Sequence, residues 1–143
     1  MSAIGPATGS PAGFEGRRAD VELRLPADSA YVSVLRTTTA GLAARLDFTI
    51  DDIEDLRIAV GEACALVLPE ADPEGPLLAE FFLSPGRLTV RVTVNGSGIG
   101  APDYDSFAWQ VLDTLASSAT ADAGGDTFVV TLSMEAETLE PSL

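Results

Sequence analysis

A two-layer α+β sandwich, with about three helices laid against a mostly antiparallel sheet, is the fold this chain predicts. Three observations point there. At 143 residues the chain makes one domain with a single core. A hydrophobic fraction of 46% and a mean hydropathy of +0.24 are ample for a compact globule. Stretches of period-two alternation are interleaved with helical periodicity, in the order strand, helix, helix, hairpin, helix, strand. Covering one sheet face with the helices is the economical way to bury both kinds of apolar surface.

In chain order, Val21, Leu23 and Leu25 alternate with Glu22 and Arg24, a half-buried strand ended by Pro26. Asp28 or Ser29 caps a helix expected from about Ala30 to Leu46, with Tyr31, Val34, Leu35, Leu42 and Leu46 as its apolar face. Thr49 followed by Asp52 resembles a capping box, and Asp51, Asp52, Glu54 and Asp55 suit the positive end of a second helix. Its stripe is Ile53, Leu56, Val60, Ala63, Cys64 and Val67, and Pro69 stops it. After a turn-rich stretch from Asp72 to Pro76, Leu77 to Leu83 reads as a strand. Ser84-Pro85-Gly86 turns it into the alternating Leu88, Val90, Val92 and Val94, an antiparallel hairpin. Asn95 to Asp103 is a Gly-rich loop. Phe107, Val111, Leu112 and Leu115 predict a third helix from Asp105 to about Ala116, with Asp105 as its cap. Ser117 to Asp126 holds a weak edge strand, and Phe128, Val130, Leu132 and Met134 form a strong last one. The expected organisation is a flexible leader over residues 1–18, one domain over 19–137 and a tail over 138–143.

Charge narrows the function. Twenty-two acidic residues against eight basic ones give a net charge of -14 and a pI near 4.1. Direct nucleic-acid binding is therefore not expected, because phosphate contacts depend on Lys and Arg. All eight basic residues are Arg, and His is absent too. No His triad, His metal site, Lys Schiff base or P-loop lysine can be built. The single Cys64 makes no internal disulfide. No run of about 18 apolar residues exists to span a membrane. Gly5, Pro6, Gly9, Pro11 and Gly13 interrupt any signal-peptide core, so the simplest location is the cytoplasm.

Several constellations carry weaker signals. Glu70, Asp72, Glu74 and Gly75 mimic the opening of a calcium loop, but the twelfth position is Phe81 where a bidentate Glu is needed. A solvated acidic turn is the better reading. Asn95-Gly96-Ser97-Gly98-Ile99-Gly100 follows a strand and could wrap phosphate oxygens, yet it lacks the dinucleotide spacing and an immediate helix. Asp103, Asp105, Asp122 and Asp126 could pair as acid and base, though chance proximity is expected in so acidic a chain. Cys64 reads as a small buried hydrophobe. Tyr104 and Trp109 fit core or interface equally. Glu62, at the margin of the second helix's stripe, reads on spacing alone as a boundary carboxylate.

The segment Asp55-Leu56-Arg57-Ile58-Ala59-Val60-Gly61-Glu62-Ala63-Cys64, taken with the element order, resembles the N-box helix of the anti-sigma factor family of RsbW and SpoIIAB type. That family has the GHKL (Bergerat) ATPase fold, and the resemblance runs from about Ala19 to Glu137. Its pattern is a helix ending in Glu-Ala-x-x-Asn, a strand leading into Asp-x-Gly-x-Gly, then a Gly-rich lid before the last helix. Ser106-Phe107-Ala108-Trp109-Gln110-Val111-Leu112 is similar to the divergent UsfX-type members. Family members hold a sigma factor away from RNA polymerase and bind a STAS anti-anti-sigma protein. Many also phosphorylate a Ser on that protein with ATP.

Carried over residue by residue, the resemblance implies a damaged pocket. Glu62 matches the catalytic carboxylate, the base for an attacking Ser hydroxyl if the kinase works. Leu66 stands where the magnesium-ligating Asn belongs, so no metal ligand is expected there. The Asp that reads adenine has no counterpart; Asn95 is nearest, while strict register places Val94 or Gly96. Asn95, Gly96, Gly98 and Gly100 are the remaining candidates for nucleotide contact. Ser106 and Ala108 replace lid glycines. Removing one preorganised electrostatic group costs about 3 kcal/mol, roughly a hundredfold in rate. Arg36 matches a first-helix Arg that touches both partners, although spacing alone fits a solvated Arg equally well.

The resemblance therefore implies an anti-sigma factor that sequesters an alternative sigma factor and is released by a competing STAS protein. Little kinase activity and no cofactor are expected, and a homodimer is plausible for the family. The alternative is an active serine kinase of RsbW type using ATP and magnesium on the STAS protein. The charge of -14 suits a basic sigma-factor region.

Overall fold

The computed structural model of the chain describes residues 16–136. Residues 1–15 of the expected leader, and the expected tail, lie outside the described residues. The alternating Val21–Pro26 segment is strand β1. A 3-10 turn over Ser29–Tyr31 leads into helix α1 (Val32–Arg45), and the Asp28 carboxylate caps the turn by accepting from the Ala30 N–H at 2.9 Å. Helix α2 (Ile50–Val67) begins as the capping box predicts, with the Thr49 hydroxyl accepting from the Asp52 N–H at 3.1 Å. Pro69 sits in a further 3-10 turn, Leu68–Glu70, so the chain tightens before it leaves the helix.

Strands β2 (Pro76–Ser84) and β3 (Arg87–Asn95) pair across the two-residue turn Pro85-Gly86. Gly86 takes φ +73, as the second central position of a Pro–Gly type II turn requires. Helix α3 (Phe107–Leu115) and strands β4 (Ser118–Gly124) and β5 (Thr127–Glu135) complete the fold. The sheet order is β1-β2-β3-β5-β4, with every pairing antiparallel. The register lines up Phe81, Val90 and Leu132 in one row and Ala79, Val92 and Val130 in the next. All six are fully buried, and with Leu56, Val60, Ala63 and Val67 of α2 they form the core. No helix among the described residues is long and apolar enough to cross a membrane.

Three expectations need correction. Tyr31 and Val34 are 40% and 42% exposed, and the buried stripe of α1 is Leu35, Thr39 and Ala43. Thr39 is tolerated there because its hydroxyl donates to the Leu35 carbonyl at 2.8 Å, closing the polar group on its own helix. Phe107, expected on the apolar face of α3, is 78% exposed; it is the first helical residue, and α3 reaches the core through Leu112. The cap of that helix is the Ser106 hydroxyl, which accepts from the Trp109 N–H at 3.1 Å, whereas Asp105 lies in the preceding turn. The edge strand expected within Ser117–Asp126 is present as β4, seven residues at the end of the sheet that pair along the free side of β5.

Candidate functional site

Helix α2 is the centre of the helical layer and packs against both α1 and α3. Its two flanks carry different groups. On the α1 side, the Arg36 guanidinium lies over Gly61: a Cβ built on that glycine would stand 2.6 Å from Nη2. Arg36 is half-buried, and among the described residues no carboxylate pairs with it. Cys64, one turn on, is 1% exposed, and its burial pushes the thiol up to about 12 while the Arg36 charge pulls the other way. That thiol is inert at neutral pH, as the sequence reading expects.

Glu62 and Leu66 are four residues apart, so they share one face of α2. Both are half-buried. Among the described residues no hydrogen bond or ion pair engages the Glu62 carboxylate, which leaves both oxygens able to accept a proton or a partner's donor. Leu66 presents only hydrocarbon beside it and packs against the core. Among the described residues no group of three or more Cys, Asp or Glu gathers as a metal site.

The glycine-rich stretch leaves the end of β3 and passes beside the turn that follows α2. The Asn95 carbonyl accepts from the Asp72 N–H at 2.8 Å, and the Gly96 N–H donates to the Asp126 carbonyl at 2.9 Å. Gly96 is buried, and a Cβ there would collide with the Glu70 carbonyl. Asn95 and Gly96 thus join the 3-10 turn after α2 to the β4–β5 turn. Gly98, at φ +70, and Gly100 are exposed, with open space around them.

Beyond the loop, the Asp103 carboxylate accepts from the Asp105 N–H at 3.0 Å and its carbonyl from the Ser106 N–H at 3.2 Å. Tyr104 packs edge-on against Trp109, with centroids 5.0 Å apart and planes at 79°, and its hydroxyl reaches the Ala121 carbonyl at 3.4 Å. This turn of loop and α3 is thereby held beside β4. Asp103, Asp105, Asp122 and Asp126 are all exposed, so no desolvated acid–base pair forms among them. The Glu70 to Gly75 stretch is likewise a turn, with the Gly75 N–H bonded to the Asp72 carbonyl.

Sequence reasoning missed Gly61 and the carbonyls of Glu70 and Asp126. Only Gly61 left a trace: a glycine inside a helix costs about 1 kcal/mol against alanine and calls for a packing reason.

Residues 25–125 match the family model described as a histidine kinase-like ATPase domain. The chain is 42% identical over 88 residues to the serine-protein kinase RsbW of Halalkalibacterium halodurans, covering 61% of this chain and 52% of that protein. It is 41% identical over 78 residues to the proteins of the same name from Bacillus thuringiensis and Bacillus anthracis, covering 53% of this chain and 49% of each. The chain spans about half the length of the curated relatives it matches.

Proposed function

The chain belongs to the family of histidine kinase-like ATPase domains, and from that premise we propose that it is an anti-sigma factor. In this reading it holds an alternative sigma factor in the cytoplasm by direct contact. It lets go when a STAS anti-anti-sigma protein competes for an overlapping surface around Arg36. The similarity to proteins named RsbW supports the partner-switching class.

The observation that carries the reading is the Glu62–Leu66 pair. By the resemblance, Glu62 takes the position of the family's base, and Leu66 puts hydrocarbon one turn on, where a magnesium ligand is needed. Magnesium with ATP does not fit these residues: an aliphatic side chain offers a hard cation nothing, and the Gly96 N–H is already committed to Asp126. Phosphoryl transfer rests on positioning and metal electrostatics, so such a site loses its main rate factor. What remains is a rigid helical layer with Arg36 half-exposed on it, suited to grasping a protein.

A second reading, a serine kinase acting on the STAS protein, is favoured by the presence of Glu62 and by the names of the relatives. Incubation with radiolabelled ATP and a STAS partner separates the two. We expect no transfer above background, and Glu62→Ala indistinguishable from the parent. Brisk transfer abolished by Glu62→Ala establishes the second reading instead. Failure to retain any of a panel of sigma factors at low salt overturns the first.

A further inference from the structure

The start of α3 is an aromatic surface set among carboxylates. Phe107 is 78% exposed and Tyr104 51% exposed. Tyr104 lies two residues before the Ser106 cap and Phe107 immediately after it, and Tyr104 is braced by Trp109 at 5.0 Å and by the Ala121 carbonyl. Phe107 stands on the first turn of a helix fixed by its cap, so its display is built in. Exposed carboxylates flank the pair in the turn, Asp103 and Asp105. Neither has a cationic partner among the described residues.

We propose that Tyr104 and Phe107, flanked by Asp103 and Asp105, form a docking surface for a cationic protein segment that carries Arg beside an apolar side chain. Three features select that occupant. The faces of exposed aromatic rings attract guanidinium groups. The flanking carboxylates hold Arg in paired hydrogen bonds. The chain's net charge of -14 draws positive partners and repels nucleic acid and acidic proteins. Charged residues are depleted and aromatics enriched at the centre of protein interfaces, with polar groups at the rim, and this patch has that arrangement. It lies on the α3 flank of α2, across that helix from Arg36, so it is a second contact point. The inference rests on the proposed function only for the identity of the partner; the surface and its chemistry stand on the residues themselves.

Trp109 is the sole tryptophan and sits beside Tyr104, so the full-length chain reports binding through its own fluorescence. The probe is a ten-residue peptide alternating Arg and Leu, with a Glu-for-Arg peptide as control. We expect saturable change in Trp109 emission with the Arg peptide alone, weakening as salt rises. Phe107→Ala should lower the affinity about tenfold or more, as expected of a central aromatic anchor, while leaving thermal unfolding unchanged because the side chain is exposed. Asp51→Asn/Glu54→Gln, which removes acid from α2, should change the affinity less than threefold. Equal losses in the two variants, or none with Phe107→Ala, overturn the proposal by reducing binding to bulk charge. Peptide binding at the patch with no sigma factor retained leaves this surface standing while the sigma-factor reading falls; the converse sinks the surface alone.

Discussion

Arg36 lies flat on the backbone of Gly61, and the missing side chain of the glycine is what admits it. A Cβ at Gly61 would come within 3.0 Å of Nε and 3.2 Å of Cζ as well as meeting Nη2. The glycine is in ordinary helical conformation, so its role is close approach and not backbone freedom. The pair fixes where a cation emerges between α1 and α2.

Gly61→Ala should therefore uncouple stability from binding. Alanine in a helix interior gains about 1 kcal/mol over glycine, and the displaced group is the end of a flexible side chain. The thermal midpoint is expected to hold or rise. If the proposed function holds, affinity for sigma factor and STAS protein should fall about tenfold, to the level of Arg36→Ala. Arg36→Ala should itself move the midpoint by no more than about 3 °C, since no ion pair is lost. Affinities unchanged in both variants remove Arg36 from the binding surface.

Cys64 gives a pH signature. Its pKa stands raised from 9.0 to about 12 by burial. The unfolded chain releases this proton above pH 9 and the folded chain keeps it to about pH 12, so the thiol does not weaken the fold below pH 9 and weakens it progressively above. The slope is about 1.4 kcal/mol per pH unit lost. Denaturant unfolding from pH 8 to 10.5 should show Cys64→Ala losing stability less steeply than the parent, by about that slope. Parallel curves would mean that the thiol ionises in place. A disulfide reagent at pH 8 should label the folded chain only at its unfolding rate.

The strands were legible because alternation is a strict code: one slip in register would turn Val90 and Val92 outward. Helix faces were less so. Tyr31, Val34 and Phe107 extend the apolar arc beyond what the core covers, and a helical wheel does not say where the neighbour ends. An aliphatic side chain thus marks core at Leu35 and surface at Val34. At the site, the shared face of Glu62 and Leu66 followed directly from their spacing. The Arg36–Gly61 contact and the Gly96–Glu70 contact join segments distant in sequence, and periodicity carries no such information.

Under the proposed function, Leu66→Asn tests whether an amide at this position is enough to let magnesium and ATP bind. Leu66 packs partly into the core, so an amide should cost about 1–2 kcal/mol in denaturant unfolding. Calorimetry with magnesium and ATP should still show no saturable heat, because the Gly96 N–H and the Ser106 cap remain engaged. Tight magnesium-dependent binding in this variant would mean that the loop and the start of α3 still open to phosphate.

Alanine replacements along the loop should rank by structure and not by any phosphate-binding pattern. At Gly96 the new Cβ meets the Glu70 carbonyl, which is backbone and cannot step aside, so a loss of about 2 kcal/mol or more is expected. At Gly98 there is space, but φ +70 costs an L residue about 1 kcal/mol. At Gly100 neither obstacle applies, and the change should be neutral or stabilise by up to about 0.5 kcal/mol through the unfolded chain. Urea unfolding of the three variants, each with and without ATP, reads the order directly. If Gly96→Ala proves as mild as Gly100→Ala, close approach to the Glu70 carbonyl is not what holds Gly96 in place. If ATP stabilises the parent but not Gly98→Ala or Gly100→Ala, the exposed glycines still cradle phosphate and the clamp reading gives way to the kinase.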